Sequence, residues 1–205
     1  MNRLVRRAAR LLAVVLAVGA FAFGCIPGTP TEGRGPAERT DGPLRLPPWN
    51  VYYWYPTPGD VVSDGFQELL LTGQEPVVVD SVEQLGVTGD LEVLGVLYAG
   101  ARRKAGSIQI SPGFPPSNLL FSPLLPVVGA EVPPGGLGLE VVIGLRVGDG
   151  FSARTGLRVH YHQGETRFVS DLSAGIAFCP GMSRDACKAA YDDWEHSHPV
   201  AGTGH

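Results

Sequence analysis

His160 and His162 stand two residues apart in Leu157-Arg-Val-His-Tyr-His162, the first spacing in this chain that could carry chemistry. Alternate side chains of an extended strand share a face, so both imidazoles project to the same side. Two imidazoles on one face can bind an exported transition-metal ion such as copper or zinc. The competing reading is that all five histidines (His160, His162, His196, His198 and His205) are ordinary solvent-facing side chains. A metal centre needs ligands held on rigid elements by a further layer of hydrogen bonds, and the segment around His196-Ser-His198 gives no sign of one.

Other reactive patterns are missing from the sequence. There is no Gly-x-Ser-x-Gly elbow, no His-Glu-x-x-His and no Gly-x-x-x-x-Gly-Lys-Ser/Thr loop. Cys179 and Cys187 are spaced too widely for a Cys-x-x-Cys redox pair. Asp192 and Asp193 are neighbours on a predicted helix, where adjacent positions do not face one another. The reading is therefore a protein that is not an enzyme and uses no cofactor.

The elements that must position these residues are strands. Leu139 to Cys179 reads as consecutive strands separated by turn signals. Leu157, Val159 and Tyr161 alternate with Arg158, His160 and His162, which predicts one buried and one wet face. Gln163-Gly164-Glu165 is a short turn, and Thr166 to Ser170 returns as the hairpin partner. Upstream, Trp49 to Tyr55 has strong strand propensity with aromatic residues on both faces. Those faces pack against neighbours or, alternatively, form a platform for sugar rings. Asp64 to Val82 holds two strands joined at Thr72-Gly-Gln-Glu-Pro76, and Leu91 to Tyr98 is another. Arg102-Arg103-Lys104 falls in a loop between strands, solvated or touching anionic groups. With Gly 28, Pro 18 and only 18% charged residues, the composition fits many short strands joined by tight turns. The predicted fold is all-β, an immunoglobulin-like antiparallel β-sandwich with a short C-terminal helix.

Two resemblances support that fold. Thr72, Gly73, Pro76, Val77, Val79 and Val82 match a strand-turn motif of extracytoplasmic immunoglobulin-like modules, with Leu71 where those modules carry Asn. Gly65-Phe66, Gly156-Leu-Arg-Val-His-Tyr161 and Cys179 resemble a group of secreted or lipoprotein β-sandwich proteins of actinobacteria. Both resemblances imply a scaffold or binding domain, and neither brings catalytic residues.

The N-terminus sets the compartment. Residues 1–24 begin with Arg3, Arg6, Arg7 and Arg10, continue as the apolar run Leu11 to Phe23, and carry no acid. That is the layout of an export signal, and the run is short for a membrane-spanning helix. Ala22-Phe23-Gly24-Cys25 resembles the bacterial lipoprotein signal, which implies lipid on Cys25. The alternative is an ordinary signal peptide and a secreted product. Of the three cysteines, pairing Cys179 with Cys187 as a disulfide leaves Cys25 over. The formal charge is −4, and without the four arginines of residues 1–24 twelve basic residues face twenty acidic ones, giving −8. A domain this acidic is repelled by a phosphate backbone, which excludes nucleic acid as a partner.

The expected layout is a signal peptide over 1–24, a disordered tether over 25–48, a β-sandwich over 49–181, and a disulfide-stapled helix with a flexible tail over 182–205. Ser183 is the predicted N-cap of a helix from Arg184 to Glu195, docked by Tyr191 and Trp194. Residues 111–136 alternate prolines with apolar side chains, which suits an apolar flap over one edge of the sandwich. If a partner surface exists, this excursion should hold it, with Phe114, Leu120 and Phe121 as its contacts. The functional expectation is an extracytoplasmic scaffold or protein-binding module, anchored to the membrane by lipid or secreted. Its partner would be an envelope protein, and the rival function is copper or zinc binding through His160 and His162.

Overall fold

Alternation of apolar and polar residues along Leu139 to Phe178 is realised as long strands, each with one face turned to a shared interior. The computed structural model describes residues 37–47, 51–99, 109–117, 123–135 and 138–198. One sheet is built on β3 (Val61–Leu71), β9 (Leu139–Val147) and β5 (Leu91–Ala99). Its margins are β1 (Leu44–Arg45) and β6 (Gln109–Pro112) on β3, and β7 (Leu124–Pro126) on β5. The second sheet runs in the order β2 (Tyr52–Trp54), β11 (Thr166–Phe178), β10 (Ser152–Gln163), β4 (Val77–Leu85) and β8 (Glu131–Val132). Leu69, Val141, Ile143 and Leu145 from the first sheet close onto Val79, Leu157, Val159 and Ile176 from the second, all buried. Burying a side chain of this size contributes roughly 1.5–3 kcal/mol, so this interior is the main driving force for the fold. The predicted immunoglobulin-like sandwich with one short C-terminal helix is the architecture observed. Among the described residues its ladders are antiparallel except where β2 runs parallel to β11, and Arg39 forms a further parallel bridge to Phe168.

Several local expectations change in the folded chain. Thr72 to Pro76 does not join paired strands, because β3 and β4 belong to different sheets and the turn carries the chain across the sandwich. Both the N–H and the hydroxyl of Thr72 donate to the Pro43 carbonyl, at 3.0 and 2.9 Å, which ties the crossing to the N-terminal segment. That segment corrects the tether boundary. Residues 37–47 lie against the sandwich, with Leu44 fully buried in the core and paired to Leu71. Their polar, Pro/Gly-rich composition hid this, because β1 is only two residues long and a single leucine anchors it.

The proline-rich excursion is also more tightly woven than a flap. It supplies β6, β7 and β8, three short margins that close both sheets. Pro112 and Pro126 sit on these outer strands, where a missing N–H breaks no central ladder. Val127 and Val132 enter the main core. On β2, Tyr52 packs against the core and Tyr53 against the C-terminal helix cluster, while Trp54 and Tyr55 are exposed.

The helix α1 (Arg184–Ser197) begins where predicted and runs two residues further. Ser183 Oγ accepts from the Ala186 N–H at 3.3 Å. Cys179 and Cys187 form the predicted disulfide across the strand-to-helix junction, with Cα atoms 5.7 Å apart. Tyr191 is buried and meets Tyr53 edge-on, while Trp194 packs against Phe151. No helix among the described residues is long and apolar enough to cross a membrane.

Candidate functional site

The β10–β11 hairpin presents the residues singled out for metal chemistry. Gln163 pairs with Thr166, so the loop is Gly164-Glu165, and Gly164 takes the positive φ (57°) that a tight hairpin demands. Leu157, Val159 and Tyr161 are fully buried, which turns Arg158, His160 and His162 to the outer face as expected. The two imidazoles share that face but have separate carboxylate partners. His160 Nδ1 lies 3.0 Å from the Glu38 carboxylate, and its Nε2 is 3.7 Å from Glu83. His162 Nδ1 lies 2.8 Å from Asp80. A register shift between β10 and β4 pairs His160 with Ser81 but Tyr161 with Val79, leaving Asp80 as the extra residue. Such bulges re-aim side chains, and here the bulge brings the Asp80 carboxylate to His162. Among the described residues no group of three or more His, Cys, Asp or Glu converges to hold a metal ion. His196 and His198 bond carbonyls of their own helix, at Asp192 and Trp194, and His205 lies outside the described residues.

Beside this face, Arg158 makes a two-point contact with Asp171, Nε and Nη2 each donating at 2.7 Å. The Asp171 carboxylate raises the Arg158 pKa, so the guanidinium stays charged. The pair stands at one wall of a cleft of about 580 Å³. Thr40, Leu44 and Arg45 also line it. Arg45 bends back so that Nη1 donates to the carbonyls of Gly42 and Leu44, each at 2.6 Å. No carboxylate among the described residues pairs with Arg45. The cleft is thus built where the N-terminal segment leaves β11 and crosses to β3.

A second polar constellation lies inside the sandwich. Asp64 of β3 and Arg154 of β10 form an ion pair with no solvent exposure on either side chain. Gln67 Nε2 donates to both Asp64 oxygens at 3.1 Å. Arg154 also donates through Nε to the Ala174 carbonyl at 3.2 Å and through Nη1 to Gln84 at 3.4 Å. Each end sits at an irregularity in its ladder, between Asp64 and Gln67 on β3 and between Arg154 and Gly156 on β10. The break on β3 explains how Asp64 and Gln67 both face inward although strict alternation would separate them. Sequence reasoning missed this pair. The available signal was Gly65 inside Val61-Val-Ser-Asp-Gly-Phe-Gln, since an isolated glycine in a strand marks a bulge.

The remaining expectations divide. Phe114 is turned onto the first sheet, not outward to a partner, and packs with Ala99, Val142 and Leu124. Its ring covers Gly95 and Gly144, which pair across β5 and β9, and a side chain at Gly144 would collide with it. Leu120, Phe121, the Arg102-Arg103-Lys104 loop and Cys25 lie outside the described residues.

No family model matches the chain, and no curated protein matches it. Among solved structures, the ASH / PapD-like domain of human CEP192 (PapD-like domain 7) is similar at 14% identity and a TM-score of 0.35. The match covers 69% of this chain and 87% of that one. Superposition this loose says nothing about ligands or partners.

Proposed function

We propose that this protein is a non-enzymatic β-sandwich tethered to the outside of the cell membrane by lipid on Cys25, where it binds an envelope protein. The observation that carries the binding role is the cleft between Arg45 and the Arg158–Asp171 pair. Its walls come from two different sheets and from the N-terminal segment, which brings a guanidinium and a guanidinium–carboxylate pair to one opening. The compartment rests on sequence order and on redox chemistry. An apolar run ends in Gly24-Cys25, and the Cys179–Cys187 disulfide suits an oxidising space.

Fractionation tests the anchored part. Replacing Cys25 by alanine should move the protein from the membrane fraction to the medium or soluble extracytoplasmic fraction. Unchanged membrane association of that variant would overturn the lipid anchor. Site-specific photo-crosslinking in intact cells tests the binding part. A photoreactive residue at Thr40, on the cleft, should give one discrete adduct that the same residue at Glu165, on the hairpin tip, does not give. Identical patterns from both positions would overturn the cleft as the binding surface.

A further inference from the structure

Among the described residues, the outer edge of β11 is strand-paired at both ends and unpaired in the middle. At one end Arg39 runs parallel to it, its N–H donating to Arg167 at 3.0 Å and its carbonyl accepting from Val169 at 2.8 Å. At the other end β2 runs parallel to Ile176, Ala177 and Phe178, and the Cys179 N–H donates to Trp54 at 2.9 Å. The bonded positions on this edge are odd-numbered at both ends. Pairing with β10 is regular from Thr166 to Ser173, so alternation from Arg167 and Val169 turns the N–H and C=O of Asp171 and Ser173 to the same edge. Among the described residues no strand pairs with that edge from Ser170 to Ala174. The cause is the path of the chain, which leaves this lane after Arg39, pairs with β3 as β1, and returns as β2. The unpaired stretch between Val169 and Gly175 spans roughly 20 Å at the rise of an extended strand. The cleft described above opens onto it, along Val169 to Leu172.

The geometry points to strand addition: an extended peptide carrying an acidic side chain fills this window, bonding Asp171 and Ser173 through its backbone and Arg45 through its carboxylate. This deepens the binding-module reading and rests on it. Backbone groups at strand spacing select an extended segment, because only another strand presents donors and acceptors at the same period. Charge selects the side chain. Asp171 already neutralises Arg158, whereas Arg45 has no carboxylate partner among the described residues. Its Nη1 is fixed by two carbonyls while Nε and Nη2 remain free to donate. A guanidinium held in place loses less freedom on binding, and its fork matches a carboxylate. The lane is closed at both ends by the protein's own chain, so the inserted strand is short, about five residues at ~3.3 Å each.

The test uses the purified full chain in detergent and two fluorescein-labelled hexapeptides of alternating threonine and valine, one with a central glutamate and one with a central lysine. Fluorescence anisotropy should show the glutamate peptide binding at least about tenfold more tightly than the lysine peptide. Arg45→Glu should remove that preference. Ser173→Pro deletes an edge-facing N–H on an exposed residue and should weaken the glutamate peptide by a similar factor, with Arg45 untouched. Thermal melts establish that both variants fold. Amide hydrogen exchange on the unmutated protein gives a readout free of any folding defect, because the glutamate peptide should slow exchange at Asp171 and Ser173. Equal binding of the two peptides would overturn the charge selection. Unchanged exchange at Asp171 and Ser173 at saturating peptide, or no binding at millimolar peptide, would overturn strand addition. The lipid anchor stands or falls separately, on the Cys25→Ala fractionation.

Discussion

The Asp64 carboxylate on β3 meets the Arg154 guanidinium on β10 inside the sandwich, a fully buried charge pair that joins the two sheets. Two charges removed from water are held only if they are paired and bonded to further polar groups. Gln67, Gln84 and the Ala174 carbonyl provide those bonds. Replacing one partner leaves the other charge buried alone. Asp64→Leu or Arg154→Met should each lower unfolding free energy by roughly 3–5 kcal/mol in urea denaturation. The double variant should recover most of that loss, since an apolar pair of similar volume needs no compensation. Additive losses in the double variant would show that the two residues act independently.

Phe114 makes the second prediction. Its ring lies on the paired glycines Gly95 and Gly144, covering backbone that has no side chains of its own. An aromatic ring over glycine in a sheet restores the packing the glycine forfeits. Phe114→Ala should cost about 2–3 kcal/mol, less than a fully buried phenylalanine, because the ring is half-buried. Gly144→Ala should destabilise through the same contact by forcing the ring off the sheet. Urea denaturation of both single variants and the double checks this. In the Phe114→Ala background the Gly144→Ala cost should fall, because the colliding ring is gone. A wild-type midpoint in Phe114→Ala would instead fit a residue free for a partner.

Much of the framework could be read before folding, and the reasons are specific. Leu157, Val159 and Tyr161 alternate without interruption, so the period-2 signal placed β10 and its wet face correctly. Ser183, Tyr191 and Trp194 marked α1, because a cap and an apolar face act locally. Non-local contacts stayed hidden. Leu44 gave no strand signal, since β1 exists only through its pairing with Leu71 across the chain. Asp64 and Arg154 were not singled out, because their bulges break the alternation that assigns faces. The stretch of β11 left unpaired among the described residues depends on two lane changes by the N-terminal segment, which no local pattern encodes.

Tyr191 predicts a pH dependence. Burial, reinforced by the nearby Glu195 carboxylate, raises the Tyr191 hydroxyl well above the ordinary tyrosine value. Tyr191 Oη donates to Glu195 Oε1 at 3.2 Å. In the unfolded chain Tyr191 ionises near the ordinary tyrosine value of about 10, so above that pH the unfolded state holds fewer protons than the folded state. Stability contributed by the protonated hydroxyl is complete below pH ~10 and declines as pH rises from there toward the folded pKa. Tyr191→Phe keeps the ring and removes the ionisation. Urea midpoints measured between pH 8 and 11 should fall less steeply in this variant than in the wild type. Some slope should persist, because burial also raises Tyr52 and Tyr53. Equal slopes would mean that the Tyr191 environment does not discriminate against the anion.

The last prediction concerns the rival function. His160 and His162 share a face, but their Nδ1 atoms are engaged by Glu38 and Asp80, carboxylates on different segments. A copper or zinc ion bridging the two imidazoles must compete with those contacts and find further ligands. Among the described residues no third ligand converges with them. Glu38 belongs to the segment that Arg39 fastens to β11, so pulling His160 away would also loosen the N-terminal lane. Calorimetric titration of the purified protein with zinc or copper should therefore give no micromolar binding attributable to this pair. His160→Ala/His162→Ala should leave any weak metal uptake unchanged while lowering stability by about 1 kcal/mol or less, as expected for partly exposed polar contacts. Micromolar binding in the wild type that disappears in the double variant would restore the metal-binding reading and displace the scaffold.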